Sequence, residues 1–295
     1  NKNETLGLPQ PKPTKAKTTT VESDLFIAKI SSLCGGSITS FQIKDHLGPD
    51  SGFVNLSSRN NKKNLLIGFR NIDGEMLELE SGWVMENTYD SLYINNETTL
   101  SYFYPIGNKR ITKRITIYPK SFVFDIEIDM TPVINNLLEE RFSFSWIGGL
   151  PPTEKDSTAE EYFFGTYLYQ GGELLDVKAS KGESFKNDYR GKTDWVATRS
   201  KYFVAATIAT NETKFIGASV SASNNKSELY DINTYHNPIA KNYFSFYLGP
   251  LEYERIKNLG VGLELSMDFG WAIIRPISKG VLWALKSMHN YIPNY

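Results

Sequence analysis

The sequence predicts a mainly β protein, a large antiparallel β-sandwich followed by a short C-terminal helical segment. Apolar and polar residues alternate with a period of two over much of the chain, which is the pattern of half-buried strands. Short turn signals, among them Asp73-Gly74 and Gly171-Gly172, separate these alternating runs. The 17 Tyr and 17 Phe residues favour strands, and 295 residues with 40% hydrophobic content are enough for a substantial core.

Residues 1–20 are predicted to form a flexible linker. They contain Pro9, Pro11 and Pro13, several Lys and Thr, and almost nothing apolar. Such a segment cannot offset its ordering entropy by burial. Because the chain starts at Asn1 without an initiator methionine, we also expect it to be a piece of something longer.

The sandwich is predicted to span residues 21–248. Its clearest strand is Phe122–Met130, where the apolar side chains share one face and the acidic side chains share the other. Three isoleucines in the preceding run, Ile111, Ile115 and Ile117, repeat the same spacing. Many such strands with short turns between them indicate antiparallel pairing.

Residues 249–295 are predicted to be helical, because the period changes after Tyr247. Leu251–Asn258 is predicted to be a short helix. A second, closing helix is predicted around Pro276, whose missing N–H costs nothing in a first helical turn. The closing helix has an apolar face with basic residues roughly opposite, and its residues are Trp271, Ile274, Arg275, Ile277, Lys279, Val281, Trp283, Leu285, Lys286 and Met288.

Two interpretations of the closing helix are open from the residues alone. Its apolar stripe could pack on the sandwich, as amphipathic helices usually do. Alternatively it lies at a membrane surface, because it carries Trp271 and Trp283, has opposed basic residues and comes just before the end of the chain. No apolar run approaches the ~20 residues that a membrane-spanning helix needs.

The residue content argues against a catalytic, cofactor or metal site. Cys34 is the only cysteine and the three histidines lie far apart in sequence, so neither a zinc cluster nor a nucleophile–base pair is visible. Residues 268–270 read DFG but lack the other kinase loops. The alternating Asp125, Glu127 and Asp129 are interpreted as a solvated strand face, with a metal or acid–base site as the alternative. A net charge of −1 shows none of the excess positive charge that is typical of nucleic-acid-binding proteins.

Several sequence blocks, in a particular order and spacing, point to a known family. A strand before Gly35-Gly36 is followed by WIGGLPPTE at Trp146–Glu154. The later blocks are KYFVAA at Lys201–Ala206, FYLGPLEYERIK at Phe246–Lys257, MDFGW at Met267–Trp271, RPISK at Arg275–Lys279 and MHNYIPN at Met288–Asn294. From Val21 onward most of the chain resembles the large periplasmic domain of the bacterial YidC family of membrane-protein insertases.

This resemblance implies a fold, a location and partners. The fold would be a β-supersandwich, similar to galactose mutarotases, with a C-terminal helical extension. The domain would lie at the periplasmic face of the inner membrane of a Gram-negative bacterium, within a multi-pass parent protein. The closing helix would contact the surface lipids. The parent would insert and fold membrane proteins, alone or with the Sec translocon and its SecDF accessory, and nascent clients would meet the full-length protein.

The resemblance also limits what this chain does by itself. In this family the groove that accepts client segments belongs to a transmembrane bundle, which this sequence does not include. We therefore expect a non-enzymatic scaffold or a docking domain for Sec partners. One alternative is a carbohydrate-binding or mutarotase-like protein that uses the sandwich cleft, with a histidine and a carboxylate for proton chemistry. Another is a surface that holds unfolded clients.

Overall fold

The computed structural model describes most of the chain. The described residues are 11, 15–57, 63–156, 160, 162–178, 183–210, 213–223 and 229–267. The chain divides into two compact units, residues 1–252 and residues 253–295.

Strands dominate the first unit. They are β1 (Thr18–Glu22), β2 (Phe26–Ser31), β3 (Ser37–Leu47), β4 (Phe53–Asn55), β5 (Asn64–Arg70), β6 (Met76–Glu78), β7 (Val84–Met85), β8 (Ser91–Tyr93), β9 (Thr98–Ile106), β10 (Lys109–Ile117), β11 (Val123–Asp129), β12 (Phe142–Trp146), β13 (Gly165–Gln170), β14 (Glu173–Val177), β15 (Phe185–Arg199), β16 (Phe203–Ala209), β17 (Phe215–Ser223), β18 (Leu229–His236) and β19 (Asn242–Pro250). Short 3₁₀ helices at Leu33–Gly35 and Thr131–Asn136 interrupt them.

The strands form two hydrogen-bonded sheets. A small sheet has the order β4-β3-β2-β1-β8, and a large one has the order β6-β5-β12-β18-β17-β15-β16-β19-β11-β10-β9-β7, with β13 and β14 attached beside β15. Within the described residues the strand pairs of the large sheet are antiparallel, and in the small sheet β1 and β8 form a parallel pair. The predicted fold class, mainly β with antiparallel sandwich packing, is confirmed.

The long strand β15 divides the large sheet into two layers. Its first half pairs with β17 and its second half with β16, and the register shifts between Arg190 and Thr193. Gly191 lies in this shift with a φ of 112°, which favours glycine. We call β6, β5, β12, β18 and β17 the front layer, and β16, β19, β11, β10, β9 and β7 the back layer.

Aromatic side chains show which faces meet. The Phe144 ring of the front layer lies 4.8 Å from the Phe244 ring of the back layer. In the small sheet, the Phe26 and Phe41 rings lie 5.7 Å and 5.9 Å from the Phe124 ring of the back layer. The front layer and the small sheet therefore cover the same inner face of the back layer, and the core lies between them.

The alternation predicted for β11 is present, whereas the predicted limits of the sandwich shift slightly. Phe124, Ile126 and Ile128 are buried and the residues between them are half-buried. At the N-terminus, β1 begins at Thr18, inside the range predicted to be linker, because its backbone pairs with β2. At the other end, β19 continues to Pro250, past the predicted limit at residue 248.

The described part of the second unit is short. An α-helix spans Tyr253–Lys257, inside the predicted helix Leu251–Asn258, and a 3₁₀ helix spans Leu263–Ser266. The ammonium group of Lys257 lies 5.4 Å from the centre of the Tyr253 ring.

A buried lysine lies where the three layers meet. Lys113, in β10 of the back layer, is fully buried. Its Nζ donates to the backbone carbonyl of Cys34, in the β2–β3 turn of the small sheet, at 3.0 Å, and to that of Leu65, in β5 of the front layer, at 2.5 Å. The same Nζ lies 5.3 Å from the centre of the Phe144 ring. One side chain thus bonds all three layers.

Both carbonyls that Lys113 binds belong to strained residues. Cys34 and Leu65 have φ values of 54° and 52°, in the left-handed region that residues other than glycine seldom adopt. Burial lowers the pKa of Lys113 to about 7, while burial raises the pKa of the Cys34 thiol to about 12. The two carbonyls and the Phe144 ring face favour the ammonium form and offset part of this desolvation.

Asn64 strengthens the same junction. Its Oδ1 accepts from the backbone N–H of Ile38 at 2.7 Å, and its Nδ2 donates to the Ile38 carbonyl at 2.8 Å. A β5 side chain thereby satisfies the backbone of β3 as a neighbouring strand would. Next to it, Gly36 has a φ of 111°, and a Cβ there would clash with the Ile115 side chain.

The core histidine is structural. His236, in β18, is buried, its ring stacks on Phe142 at 5.0 Å, and it lies 4.6 Å from the Phe244 ring. It exchanges a 2.9 Å hydrogen bond with the Thr234 hydroxyl. Burial lowers the pKa of His236 to about 3, because the apolar rings disfavour its charged form.

We predict that Lys113→Met lowers the free energy of unfolding by about 2–4 kcal/mol, because two buried carbonyls lose their donor. Urea denaturation measures this. Lys109→Met, at an exposed position of the same strand, is the matched control and should change little. A Lys113→Met protein at least as stable as the wild type would contradict the prediction, because the desolvation of the ammonium would then cancel or exceed the gain from its hydrogen bonds.

We predict that His236 makes the fold sensitive to acid. The pKa of His236 is 6.5 in the unfolded chain and about 3 in the folded protein. Above pH 6.5 the imidazole is neutral in both states, whereas between pH 6.5 and about pH 3 only the unfolded chain binds a proton on it. Stability attributable to His236 should therefore fall by about 1.4 kcal/mol per pH unit across this window. Urea denaturation of the wild type and His236→Phe at several pH values measures the difference. Equal slopes in both proteins would contradict the prediction.

Candidate functional site

The predicted membrane-surface helix lies outside the described residues. All ten of its assigned residues, from Trp271 to Met288, fall in the range 268–295, and the structure therefore places none of them. The assignment remains a prediction. In the part of the chain that the structure describes, no helix is long and apolar enough to cross a membrane.

The three alternating carboxylates of β11 each have a different structural partner. Asp129 accepts from the N–H and the hydroxyl of Thr131 at 3.0 Å and 2.6 Å. Glu127 accepts from Arg114 at 2.9 Å, and Asp125 accepts from hydroxyl groups. Among the described residues no group of three His, Cys, Asp or Glu side chains is arranged to hold a metal ion.

Asp125 and its neighbours lie in a groove of about 570 Å³ on the outer face of the back layer. The groove crosses the outward-facing side chains of β9, β10, β11 and β19. Tyr118 donates its hydroxyl to Asp125 Oδ2 at 2.7 Å, and Ser245 donates to Oδ1 at 2.7 Å. Both carboxylate oxygens are therefore held in place by hydroxyl groups from the two flanking segments.

The groove contains an ion pair, between Arg114 and Glu127, and Lys241 beside the groove joins the same carboxylate. Glu127 Oε1 accepts from Arg114 on one side and from Lys241 at 3.2 Å on the other. Glu97 adds a further carboxylate to the lining. Because the Tyr118 hydroxyl donates to Asp125, ionisation of Tyr118 is disfavoured and its pKa is raised to about 12.

A second polar surface lies on the outer face of the front layer. Ser145 and Asn233 are hydrogen-bonded at 2.5 Å, and Asn233 donates to Ser219 at 3.2 Å. Tyr235 donates to Asp188 at 2.9 Å, and the Arg141 guanidinium lies 4.5 Å from the centre of the Tyr235 ring. The polar groups named here therefore bond to one another, and Tyr235 has both a carboxylate and a guanidinium as partners.

The segment that follows Pro152 is acidic, and one of its carboxylates, Glu160, has a structural role. Glu160 is fully buried, and its carboxylate accepts from the N–H groups of Thr153 and Glu154 at 2.6 Å and 3.0 Å. It therefore stabilises the loop by a charge-assisted bond to backbone. Glu154 itself is half-buried and accepts from the Tyr202 hydroxyl at 2.6 Å.

Sequence reasoning did not find the groove. The period of two placed Asp125 and Glu127 on an outer face. Their neighbours in the groove come from the residue just after β10 (Tyr118) and from β19 (Tyr243 and Ser245), which the pattern could not assign as adjacent to β11. One feature of the sequence could have indicated the groove. In the alternating run Asn242–Tyr247, Tyr243 lies on the opposite face from the buried Phe244 and Phe246, so an aromatic ring is exposed on the outer face.

We predict that Asp125→Asn lowers the pKa of Tyr118 from about 12 toward its ordinary value, since the anionic acceptor that opposes ionisation is removed. Carbon NMR of labelled tyrosine side chains across a high-pH titration measures it. Ser245→Ala, which leaves the Tyr118–Asp125 bond intact, is the control. An unchanged Tyr118 titration in Asp125→Asn would contradict the assignment.

Comparisons with known proteins identify relatives. The family model for the YidC periplasmic domain matches residues 18–284. The membrane protein insertase YidC of Chlorobaculum parvum is 30% identical over 295 residues, covering 94% of this chain and 49% of the relative. That of Chlorobium limicola is 29% identical over 288 residues, covering 94% and 49%. The chain spans about half the length of the curated relatives it matches.

Solved structures with a similar backbone are more distant. A putative aldose 1-epimerase from Escherichia coli is 9% identical with a TM-score of 0.46, covering 79% of this chain and 99% of that one. An α-N-acetylgalactosaminidase from Bifidobacterium bifidum is 11% identical with a TM-score of 0.45, covering 78% and 35%.

Proposed function

Because the chain belongs to the family of YidC periplasmic domains, we propose that it serves a membrane-protein insertase as a scaffold and docking domain. The observation that carries the proposal is the family match, which runs from β1 through most of the closing segment. The resemblance read from the sequence blocks is thereby confirmed. The prediction that the chain is not an enzyme is also confirmed, since the relatives are named as insertases.

The proposed location is the periplasmic face of the bacterial inner membrane. The description of the matching family, YidC periplasmic domain, supports this location, and the relatives are about twice as long as this chain. In this proposal the remaining half of such a protein supplies the membrane-embedded part, and the sandwich stands outside the bilayer.

The proposed partners are the Sec translocon, its SecDF accessory and, through the full-length protein, nascent membrane-protein clients. The fold supports a docking role in one respect. The inner face of the back layer is occupied by the core, so its outer face is available to another protein. Exposed tyrosines in the connecting segments, Tyr162 and Tyr202, are available as well.

The closing helix is proposed to lie on the membrane surface. Its support is the sequence pattern, in which Trp271 and Trp283 flank an apolar stripe and Arg275, Lys279 and Lys286 lie roughly opposite. Such a helix binds by burying its apolar face and by attraction of its basic residues to anionic lipid.

We predict that the chain floats with phosphatidylglycerol-containing vesicles and that replacing Arg275, Lys279 and Lys286 by Glu abolishes flotation. The reason is loss of attraction to the anionic surface, which salt should also weaken. The matched control replaces Lys186, Arg190 and Lys192 of β15, which are exposed in the sandwich, by Glu. Flotation lost equally in both triple variants, or retained in both, would contradict a role of the closing helix.

A further inference from the structure

The groove on the outer face of the back layer has a chemical character that restricts its ligand. Its lining carries three carboxylates, Glu97, Asp125 and Glu127, against one guanidinium, Arg114. This excess of negative charge disfavours an anion such as a phosphate group. Glu127 is paired with Arg114 and Lys241. Both oxygens of Asp125 accept from hydroxyl groups. No three acidic side chains within the described ranges are arranged to hold a metal ion.

Hydrogen-bonding groups cover the floor of the groove. Thr99 and Thr116 share a 2.9 Å hydrogen bond on neighbouring strands, and the carboxylate of Asp125 lies on the next strand between Tyr118 and Ser245. Hydroxyl groups both donate and accept, whereas the carboxylates only accept. A ligand rich in hydroxyl groups can donate hydrogen bonds to the carboxylates and can donate to or accept from the threonine, serine and tyrosine hydroxyls. It does so without bringing a charge of its own into the groove.

An exposed aromatic ring stands beside this floor. Tyr243 of β19 is 51% exposed and is the register partner of Glu127 in β11. A tyrosine combines an apolar ring face with a polar tip, which suits a ligand that is apolar on one face and polar at its edge. A pyranose ring has this shape, with C–H groups on its face and hydroxyl groups around its rim. The volume, about 570 Å³, is in the range of small-molecule sites.

We propose that this groove is a binding site for a neutral saccharide. Tyr243 stacks on the sugar ring, Asp125 accepts hydrogen bonds from adjacent sugar hydroxyls, and the Arg114–Glu127 pair contacts a further hydroxyl as donor and acceptor. The inference rests on the described side chains and does not depend on the proposed insertase role. It assigns binding and no reaction.

The test measures binding of the 295-residue chain to a panel of D-glucose, D-galactose, N-acetylglucosamine and maltose, by saturation-transfer NMR and titration. We expect saturable binding of at least one sugar. Tyr243→Ala and Asp125→Asn should each weaken it at least about tenfold, while Tyr243→Phe, which keeps the ring, should retain it. Tyr162→Ala removes an exposed tyrosine elsewhere in the chain and is the matched control.

Thermal unfolding of each variant separates loss of the site from loss of the fold. Weakened binding in Tyr243→Ala and Asp125→Asn proteins that unfold like the wild type supports the site. If no sugar of the panel binds saturably to the folded wild type, the proposal is overturned. Binding that survives both groove variants, or that falls equally in Tyr162→Ala, overturns it as well.

Discussion

The buried ammonium group of Lys113 is the interaction on which the arrangement of the layers depends. It bonds the carbonyls of Cys34 and Leu65, so the small sheet and the front layer are held against the same face of the back layer. Both carbonyls belong to residues in the left-handed region, and Asn64 strengthens the same junction by hydrogen-bonding to the backbone of Ile38. A charge this deep is tolerated because two of its three N–H donors bond carbonyls and an aromatic ring faces it.

That junction determines which surfaces are free for function. Because two layers cover the inner face of the back layer, its apolar residues such as Phe124 and Ile126 are used in the core. The same strands then present their alternate side chains outward, and Asp125 and Glu127 become the floor of a polar groove. One alternating strand thus serves the core on one side and a candidate binding surface on the other.

Much of the strand content could be predicted from sequence, because alternation in β11 reports directly on burial. Lys113 could have been found in the same way. It occupies an inward position between Ile111 and Ile115, and an inward lysine needs a partner. Its acceptors could not be predicted, since they lie 79 and 48 residues away and are brought close only by the tertiary fold. The neighbours of Asp125 across the groove were hidden for the same reason.

The central functional claim is that the sandwich supports an insertase without being the path of insertion. The most direct measurement uses cells depleted of their own insertase. They receive the longer protein that we propose contains this domain, either intact or lacking residues 22–258. Protease accessibility of a small inner-membrane client reports insertion. The account predicts that insertion survives the deletion. Loss of insertion at normal levels of the deleted protein would contradict it and would give the sandwich a direct part in the process.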